Sequence, residues 1–157
     1  MKNTLYVLVG VPGSGKSTWI KNQDWAIDIP VVSTDDFVES YAKEQHKTYN
    51  DVFDEYMKTA VRLMAEKVNQ CKKNNQDIIW DQTSTTVHAR AKKFRMCPDY
   101  YKIAVVFQTP DKDELQRRLS SRPGKNIPKH VQEVMASQFK NEPPTLEEGF
   151  DEIWNVQ

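Results

Sequence analysis

Residues 4–18 read Thr-Leu-Tyr-Val-Leu-Val-Gly-Val-Pro-Gly-Ser-Gly-Lys-Ser-Thr, and this stretch decides the fold of the chain. Its first part, residues 5–9, is a short apolar run of the kind that forms a strand buried on both faces. The run leads into Gly-x-x-x-x-Gly-Lys-Ser over residues 10–17, where the glycines let backbone N–H groups approach phosphate oxygens. A Gly-rich turn that matches by chance is the alternative, but strand, loop and helix follow one another in the expected order. The stretch therefore predicts a phosphate-binding loop (P-loop).

The side chains of this loop suit the binding of a nucleoside triphosphate. We expect Lys16 to reach the β- and γ-phosphates of ATP and the hydroxyl of Ser17 to bind Mg²⁺. The helix that begins near Lys16 directs the positive end of its dipole at the phosphates. The predicted nucleotide-binding residues of the loop are Gly13, Ser14, Gly15, Lys16, Ser17 and Thr18.

Length and composition limit the class of protein. The 157 residues suit one domain, so we expect a single domain over residues 1–157. The 22 basic and 22 acidic residues balance, so any contact with nucleic acid must be local. Cys71 and Cys97 lack metal-binding spacing and suit a reducing compartment, and no segment resembles a signal peptide or a membrane span. We therefore expect a cytoplasmic protein without a membrane partner.

Short apolar runs alternate with helical periodicity along the chain. After the first strand, the pattern predicts strands at residues 29–33, 77–81, 101–107 and 151–156. It predicts helices over residues 16–22, 37–43, 52–71, 86–96, 112–121 and 128–140. Such alternation is typical of a parallel sheet covered by helices on both faces. We therefore predict a three-layer α/β P-loop domain.

Acidic residues follow two of the predicted strands. Ligands of parallel α/β sheets bind beyond the carboxyl ends of the strands. Asp81 follows the third strand and could hold the Mg²⁺ shell, or it could merely cap the following turn with Thr83. Asp35 and Asp36 follow the second strand, where one of them could accept the proton of an acceptor hydroxyl and either could simply cap the next helix. Sequence spacing leaves the choice between these two neighbours open.

Basic residues cluster around a turn that contains proline and glycine. Arg117 and Arg118 precede the turn Arg122-Pro-Gly-Lys125. Phosphoryl transfer needs positive charge beside the departing phosphates, and this layout is typical of a helical lid that closes over ATP. Arg118 and Arg122 would share one helical face at i, i+4 spacing. We expect both to bind the nucleotide, although a solvated surface role is the alternative for any single arginine here.

A second basic group lies on the helix after Asp81. Its members alternate with an apolar set, so we expect them to form the solvent-exposed face of an amphipathic helix, with a nucleic-acid contact as the alternative. The basic set is Arg90, Lys92, Lys93 and Arg95, and the apolar set is Val87, Ala91 and Phe94.

Four motifs together resemble the kinase domain of phage 5′-polynucleotide kinase. They are Gly10-Val-Pro-Gly-Ser-Gly-Lys-Ser-Thr-Trp19, Ser33-Thr-Asp-Asp-Phe37, Trp80-Asp-Gln-Thr-Ser84 and Arg118-Leu-Ser-Ser-Arg-Pro-Gly-Lys-Asn-Ile-Pro128. The resemblance runs in order through nearly the whole chain and extends to the spacing between the motifs. It implies an ATP-dependent kinase with a five-stranded sheet in the order 2-3-1-4-5.

The resemblance also implies roles for individual residues. Asp35 matches the general base that takes the proton from the acceptor hydroxyl, and Lys16 and Ser17 match the phosphate and magnesium residues. Asp81 matches an essential aspartate on the acceptor side or in the metal shell. Arg122 matches the lid arginine that stabilises the transferring phosphates. The implied catalytic residues are therefore Asp35, Lys16 and Arg122.

One position departs from the family pattern. The family places an arginine three residues after the base, where it holds the 3′-phosphate of the acceptor nucleotide, and here that position is Val38. Valine cannot make a charge-assisted contact, so another basic residue replaces the arginine or the acceptor lacks that phosphate. The phosphatase domain of the phage end-healing enzyme does not fit in this chain, so we do not expect a bifunctional enzyme.

The sequence is compatible with several functions. The leading hypothesis is a kinase that phosphorylates the 5′-OH of DNA or RNA with ATP and Mg²⁺. The runner-up is DNA modification in a phage, by phosphorylation of a hydroxymethyl pyrimidine of the 5-hydroxymethyluracil type. A small-molecule kinase for a nucleoside or sugar comes third. A non-catalytic ATP-binding switch is the alternative from another class, although the Asn/Thr-Lys-x-Asp signature of GTPases is absent.

Overall fold

The computed structural model describes residues 2–156, which form a five-stranded parallel sheet between layers of helices. The strands are β1 (Thr4–Val9), β2 (Val31–Val32), β3 (Ile78–Trp80), β4 (Tyr101–Phe107) and β5 (Glu152–Val156). They lie in the order β2-β3-β1-β4-β5, and every neighbouring pair is parallel. The predicted three-layer α/β P-loop fold and its strand order are confirmed.

Helices connect the strands and cover the sheet. They are α1 (Lys16–Lys21), α2 (Thr34–Glu44), α3 (Tyr49–Lys73), α4 (Val87–Met96), α5 (Lys112–Ser120) and α6 (Lys129–Asn141), with a 3₁₀ helix at Asp24–Ala26. Within residues 2–156, none of the helices combines the length and the apolar character that crossing a membrane requires.

Three elements differ clearly in extent from the prediction. α2 begins at Thr34 rather than at residue 37, because Ser33 caps it. β2 contains two residues rather than five, because Pro30 has no N–H for the ladder and Ser33 already caps α2. α3 begins at Tyr49 rather than at residue 52, because Thr48 and Asp51 form a capping box there. The polar connection between α2 and α3 is therefore shorter than the sequence suggests.

β1 is buried on both faces, as its unbroken apolar run predicts. On one face Val7 lies in a cluster with Val68 of α3, and on the other Leu8 lies in a cluster with Trp19 of α1. A strand between two helical layers cannot alternate apolar and polar residues, because neither face meets water. The same run thus fixes the central position of β1 in the sheet.

The face of α4 that was expected to meet solvent is partly buried. Arg90 is fully buried and Lys93 is 6% exposed, whereas Val87, a member of the predicted apolar set, is 41% exposed. Lys92 and Arg95 are exposed, as predicted. The interpretation of all four basic side chains as one exposed face is therefore wrong.

Arg90 can be buried because its guanidinium N–H groups find acceptors. The guanidinium pairs with the carboxylate of Glu148 through Nε and Nη2. Nη1 donates to the carbonyl of Ser84 and Nη2 to the carbonyl of Glu142, each at 2.9 Å. A buried charge is tolerated when it is both paired and hydrogen-bonded. Arg90 thereby fastens the segment that follows β3 to the segment that precedes β5.

Lys93 is buried beside an aromatic ring. Its ammonium lies 5.3 Å from the centroid of the Trp80 ring. Burial, together with the smaller effect of the neighbouring charge of Arg90, lowers the pKa of Lys93 to about 8. The charged form of Lys93 is therefore less favourable in the folded protein than in the unfolded chain.

We expect Lys93→Met to stabilise the protein at neutral pH. With a pKa of about 8 when folded and 10.5 when unfolded, the folded state binds fewer protons between these values. Stability from this group therefore rises with pH across that window. The substitution removes a buried charge and should raise the free energy of unfolding by about 2 kcal/mol at pH 7. The gain should shrink as the pH approaches 10.5.

Urea unfolding at neutral and alkaline pH measures this difference, with the exposed Lys92→Met as the matched control. A gain that does not depend on pH, or no gain at neutral pH, would contradict the burial of a charged Lys93.

Candidate active site

The loop between β1 and α1 has a backbone that only glycine adopts readily. Gly13 and Gly15 have φ angles of +84° and +98°, in the left-handed region. At Gly10, an added Cβ would lie 2.7 Å from Oγ of Ser14. The N–H of Gly10 donates to the carbonyl of Thr83 at 3.0 Å. The P-loop is thus tied to the segment after β3.

Lys16 folds back over the P-loop. Its ammonium donates to the carbonyls of Gly10 and Val11, each at 3.0 Å. Burial lowers the pKa of Lys16 to about 8, against the opposing effect of Asp81. Its acceptors are neutral carbonyls, which nucleotide phosphates could replace with charged oxygens. The hydroxyl of Ser14 is buried and makes no hydrogen bond within residues 2–156, so a phosphate oxygen would satisfy it.

Oxygen ligands suited to Mg²⁺ meet at the end of β3. The hydroxyl of Ser17 lies 3.5 Å from Oδ2 of Asp81. Burial raises the pKa of the Asp81 carboxyl, and the charge of Lys16 opposes this shift. Among the described residues, no three His, Cys, Asp or Glu side chains converge on a metal site. Mg²⁺ commonly takes one or two protein oxygens together with phosphates and water, so the pair fits this ion.

The structure distinguishes the two aspartates that follow β2. Oδ1 of Asp35 accepts a hydrogen bond from the hydroxyl of Tyr49 at 2.7 Å, and Oδ2 accepts one from Nζ of Lys125 at 3.1 Å. Asp36 is exposed. The side chain that caps α2 belongs to Ser33, so neither aspartate is needed for capping. Asp35 is the carboxylate that its neighbours orient.

Tyr49 is a site residue that the sequence analysis does not identify. It lies in the first turn of α3, and Nζ of Lys125 lies 4.5 Å from the centroid of its ring. Burial, together with the hydrogen bond to Asp35, raises the pKa of Tyr49. The hydroxyl therefore keeps its proton and acts as a donor. Its only sequence signal is the Thr48-x-x-Asp51 capping box, which places Tyr49 at the start of a helix.

The loop between α5 and α6, residues 121–128, docks on the N-terminus of α3. The N–H of Asn50 donates to the carbonyl of Gly124 at 3.0 Å. The Asn50 side chain donates to the carbonyl of Asn126 at 3.0 Å and accepts from its N–H at 2.9 Å. Gly124 has φ of +68°, and an added Cβ would lie 2.5 Å from Cβ of Thr48. We call residues 121–128 the α5–α6 loop.

The arginines near the α5–α6 loop do not share a helical face. α5 ends at Ser120, so Arg122 lies beyond the helix and the predicted i, i+4 arrangement with Arg118 is wrong. Arg118 donates to the carbonyl of Gly13 at 3.0 Å and pairs with Glu114 at 2.8 Å. Arg122 is half-buried and faces the same cleft. Both side chains therefore face the cleft that contains the P-loop, Arg118 from α5 and Arg122 from the loop that follows it.

One cleft of about 1890 Å³ unites these side chains. A pocket for a single small ligand is commonly about 300–1,000 Å³, so the cleft has room for two substrates. The P-loop, Arg118, Asp35, Glu39 and Tyr49 all line this cleft. The sequence-predicted site residues that line it are Gly13, Ser14, Gly15, Lys16, Ser17, Thr18, Asp35, Asp81, Arg118 and Arg122.

Lys125 is the basic residue that the structure places beside Asp35. Its ammonium also lies 3.0 Å from Glu39, and its side chain is 16% exposed. Val38, in contrast, is fully buried in a cluster with Val52 and Ala60 between α2 and α3. A charged side chain at Val38 would enter this apolar contact rather than the cleft, unless α2 and α3 separated.

A family model described as an AAA domain matches residues 5–144. A comparison with the curated proteins finds no match. Among solved structures, the chain is similar to one in the Pnkp1/Rnl/Hen1 RNA repair complex, with a TM-score of 0.68 and 25% identity. The match covers 96% of this chain and 47% of that one, so the chain spans about half of its length.

Two further structures share the fold at lower identity. A chain of the PezAT chromosomal toxin-antitoxin system of Streptococcus pneumoniae has a TM-score of 0.72 and 18% identity, covering 99% of this chain and 67% of that one. Shikimate kinase from Acinetobacter baumannii has a TM-score of 0.58 and 17% identity, covering 99% and 84%. The same fold therefore occurs in an RNA repair complex, a toxin-antitoxin system and a shikimate kinase.

We expect Asn50→Ala to release the α5–α6 loop from α3. The substitution removes the acceptor of the Asn126 N–H and the donor to its carbonyl, while the helix start remains capped by Thr48. The backbone amide of Asn126 should lose most of its protection against hydrogen exchange, with a rate at least about tenfold higher. Amide exchange measured residue by residue tests this expectation. Asn141→Ala is the control, since the Asn141 side chain donates to Ser137 within α6, and unchanged protection in Asn50→Ala would contradict the docking.

Proposed function

The chain belongs to the AAA domain family, and we propose that it is an ATP-dependent kinase that acts on the 5′-OH of a polynucleotide. The observation that carries the proposal is the position of Asp35, which lies in the same cleft as the P-loop. Tyr49 and Lys125 hold its two carboxylate oxygens. A protein that only binds a nucleotide has no need of an oriented carboxylate in the cleft beside its P-loop.

The part of the cleft beside the P-loop would bind ATP. Backbone N–H groups of the P-loop surround the phosphates, and Lys16 exchanges its two carbonyl acceptors for phosphate oxygens. Arg118 and Arg122 approach from the α5–α6 side. The proposed nucleotide-binding residues are Gly13, Ser14, Gly15, Lys16, Ser17, Thr18, Arg118 and Arg122.

Ser17 and Asp81 are the proposed Mg²⁺ ligands. Their oxygens are 3.5 Å apart and could bind the ion directly or through water. When bound, Mg²⁺ neutralises charge that develops on the β- and γ-phosphates.

Asp35 would act as the general base. Tyr49 occupies Oδ1, so Oδ2, which now faces Lys125, is the oxygen available to take the proton of the acceptor hydroxyl. The hydroxyl oxygen then forms a bond to the γ-phosphorus while the bond from that phosphorus to the bridging oxygen breaks, and ADP leaves. Arg122 supplies positive charge beside the departing phosphates.

The choice of acceptor rests on three observations. The ordered motifs resemble phage 5′-polynucleotide kinase, and the chain of the RNA repair complex is 25% identical over 96% of this chain. Lys125 is a basic residue next to Asp35 that could contact an acceptor phosphate once Asp35 has released it. The buried position of Val38 favours a second candidate, a hydroxymethyl pyrimidine within DNA, whose hydroxyl carries no adjacent phosphate.

The proposed kinase activity predicts transfer of labelled γ-phosphate from ATP to a 5′-OH oligonucleotide in the presence of Mg²⁺. Lys16→Ala should abolish transfer, because it removes the phosphate contact. Asp35→Asn should lower kcat by about 100-fold or more, since the amide cannot accept the proton. Asp36→Asn, at the exposed neighbour, is the matched control and should retain activity.

Two further acceptors decide which hydroxyl is used. One is the same oligonucleotide with a 5′-phosphate, and the other also carries an internal 5-hydroxymethyluracil. Label only on the 5′-OH strand supports the proposal. Label on the 5′-phosphorylated strand that carries 5-hydroxymethyluracil would instead identify the hydroxyl of the modified base as the acceptor. Full activity of Asp35→Asn would remove the main support for a kinase.

We expect Tyr49→Phe to misplace the general base without affecting ATP binding. The change removes the hydrogen bond to Oδ1 of Asp35 but keeps the ring beside Lys125. kcat should fall about tenfold while the KM for ATP stays the same, because small displacements of a reacting group are costly. Steady-state kinetics measures both constants. Tyr41→Phe, whose ring stacks on Tyr56 between α2 and α3, is the control, and equal losses in the two variants would argue against a specific role for Tyr49.

A further inference from the structure

Phe53 is a large apolar side chain that lines the cleft instead of the core. Helical periodicity places it on the broad apolar face of α3, and other members of that face, Val52, Ala60 and Val68, are fully buried. Phe53 remains 38% exposed and lies among the cleft residues. An aromatic ring that is exposed to water lacks the favourable free energy of burial. A ligand that covered the ring would supply it.

The ring of Phe53 lies close to the proposed general base. Phe53 is one helical turn after Tyr49, and their ring centroids are 5.5 Å apart with an interplanar angle of 45°. The hydroxyl of Tyr49 is 2.7 Å from Asp35, and the Tyr49 ring is itself occupied by the ammonium of Lys125 at 4.5 Å. Phe53 therefore offers an aromatic surface one ring away from the point where the acceptor hydroxyl would bind.

The order of these groups suits a nucleoside as acceptor. In a nucleoside, one ribose ring separates the 5′-OH from the base, so a hydroxyl at Asp35 would bring the base near Phe53. Every base has a flat π-face that can stack on an aromatic side chain without readout of its sequence. A polyol acceptor without a base would gain much less from a phenyl ring at this position.

We propose that Phe53 is the platform on which the terminal base of the acceptor stacks, so that the site takes acceptors that carry a base next to the reacting 5′-OH. This inference rests on the proposed 5′-OH kinase function and names the part of the acceptor that the cleft recognises. Phe53 takes no part in the chemical step, so its contribution should fall on acceptor binding rather than on turnover.

The test compares two oligonucleotides that differ only at the 5′ end. One ends in an ordinary 5′-OH nucleotide and the other in a 5′-OH abasic residue, and both are assayed for transfer from ATP with wild type, Phe53→Ala and Phe53→Trp. Val61→Ala is the matched control, because Val61 is 48% exposed on the same helix and does not line the cleft.

We expect Phe53→Ala to raise the KM for the ordinary oligonucleotide about tenfold, with kcat and the KM for ATP little changed. The abasic oligonucleotide should show a KM similar to that raised value in wild type, with no further increase in Phe53→Ala. Phe53→Trp should restore a low KM for the ordinary strand only, because it keeps a stacking surface.

The outcomes separate this inference from the proposed function. Transfer to both oligonucleotides with the same KM in wild type, or an equal loss on both in Phe53→Ala, would overturn the stacking role and leave the 5′-OH kinase intact. Absence of transfer to either strand by wild type would overturn the polynucleotide assignment and this inference with it.

Discussion

The parallel pairing of β1 with β3 is the constraint on which the site depends. Because both strands run in the same direction, their carboxyl ends meet at one edge of the sheet. The hydrogen bond from Gly10 to the carbonyl of Thr83 continues this pairing beyond the strands and fixes the P-loop against the segment after β3. The hydroxyl of Ser17 and the carboxylate of Asp81 come together for the same reason, although they are distant in sequence. A slip by one residue would turn the side chains of β1 to the opposite face and separate these groups.

The end of α5 and the α5–α6 loop together contact both the P-loop and Asp35. Just before the loop, Arg118 in the last turn of α5 contacts the carbonyl of Gly13 in the P-loop. Within the loop, Lys125 contacts Asp35, and Gly124 packs against the N-terminus of α3. A displacement of this short loop and of the adjoining end of α5 would therefore alter the charges beside the P-loop and beside Asp35 together. Such coupling suits a reaction in which both substrates must be in place before transfer.

The buried side chain of Arg90 stabilises the segment after β3, next to the P-loop. Ser84 has φ of +47°, a left-handed conformation that is uncommon outside glycine. The guanidinium of Arg90 donates to its carbonyl and is itself neutralised by Glu148. This contact fixes the backbone at Ser84. The residue before it, Thr83, accepts the hydrogen bond from Gly10 of the P-loop. The arginine thus has a structural role in positioning the loops, although it touches no residue of the proposed transfer site.

The sequence by itself determined the fold and the P-loop, because buried strands, glycine spacing and helix caps are local patterns. It also identified Asp35, Asp81 and the arginine cluster as candidates, since each follows a strand or flanks a turn. The tertiary structure decided what depends on contacts between distant segments. Amphipathic periodicity could not reveal that Arg90 is buried, because its partner Glu148 lies in another segment 58 residues away. Nor could it show that Tyr49 holds Asp35, because that hydrogen bond forms only when α2 and α3 pack together.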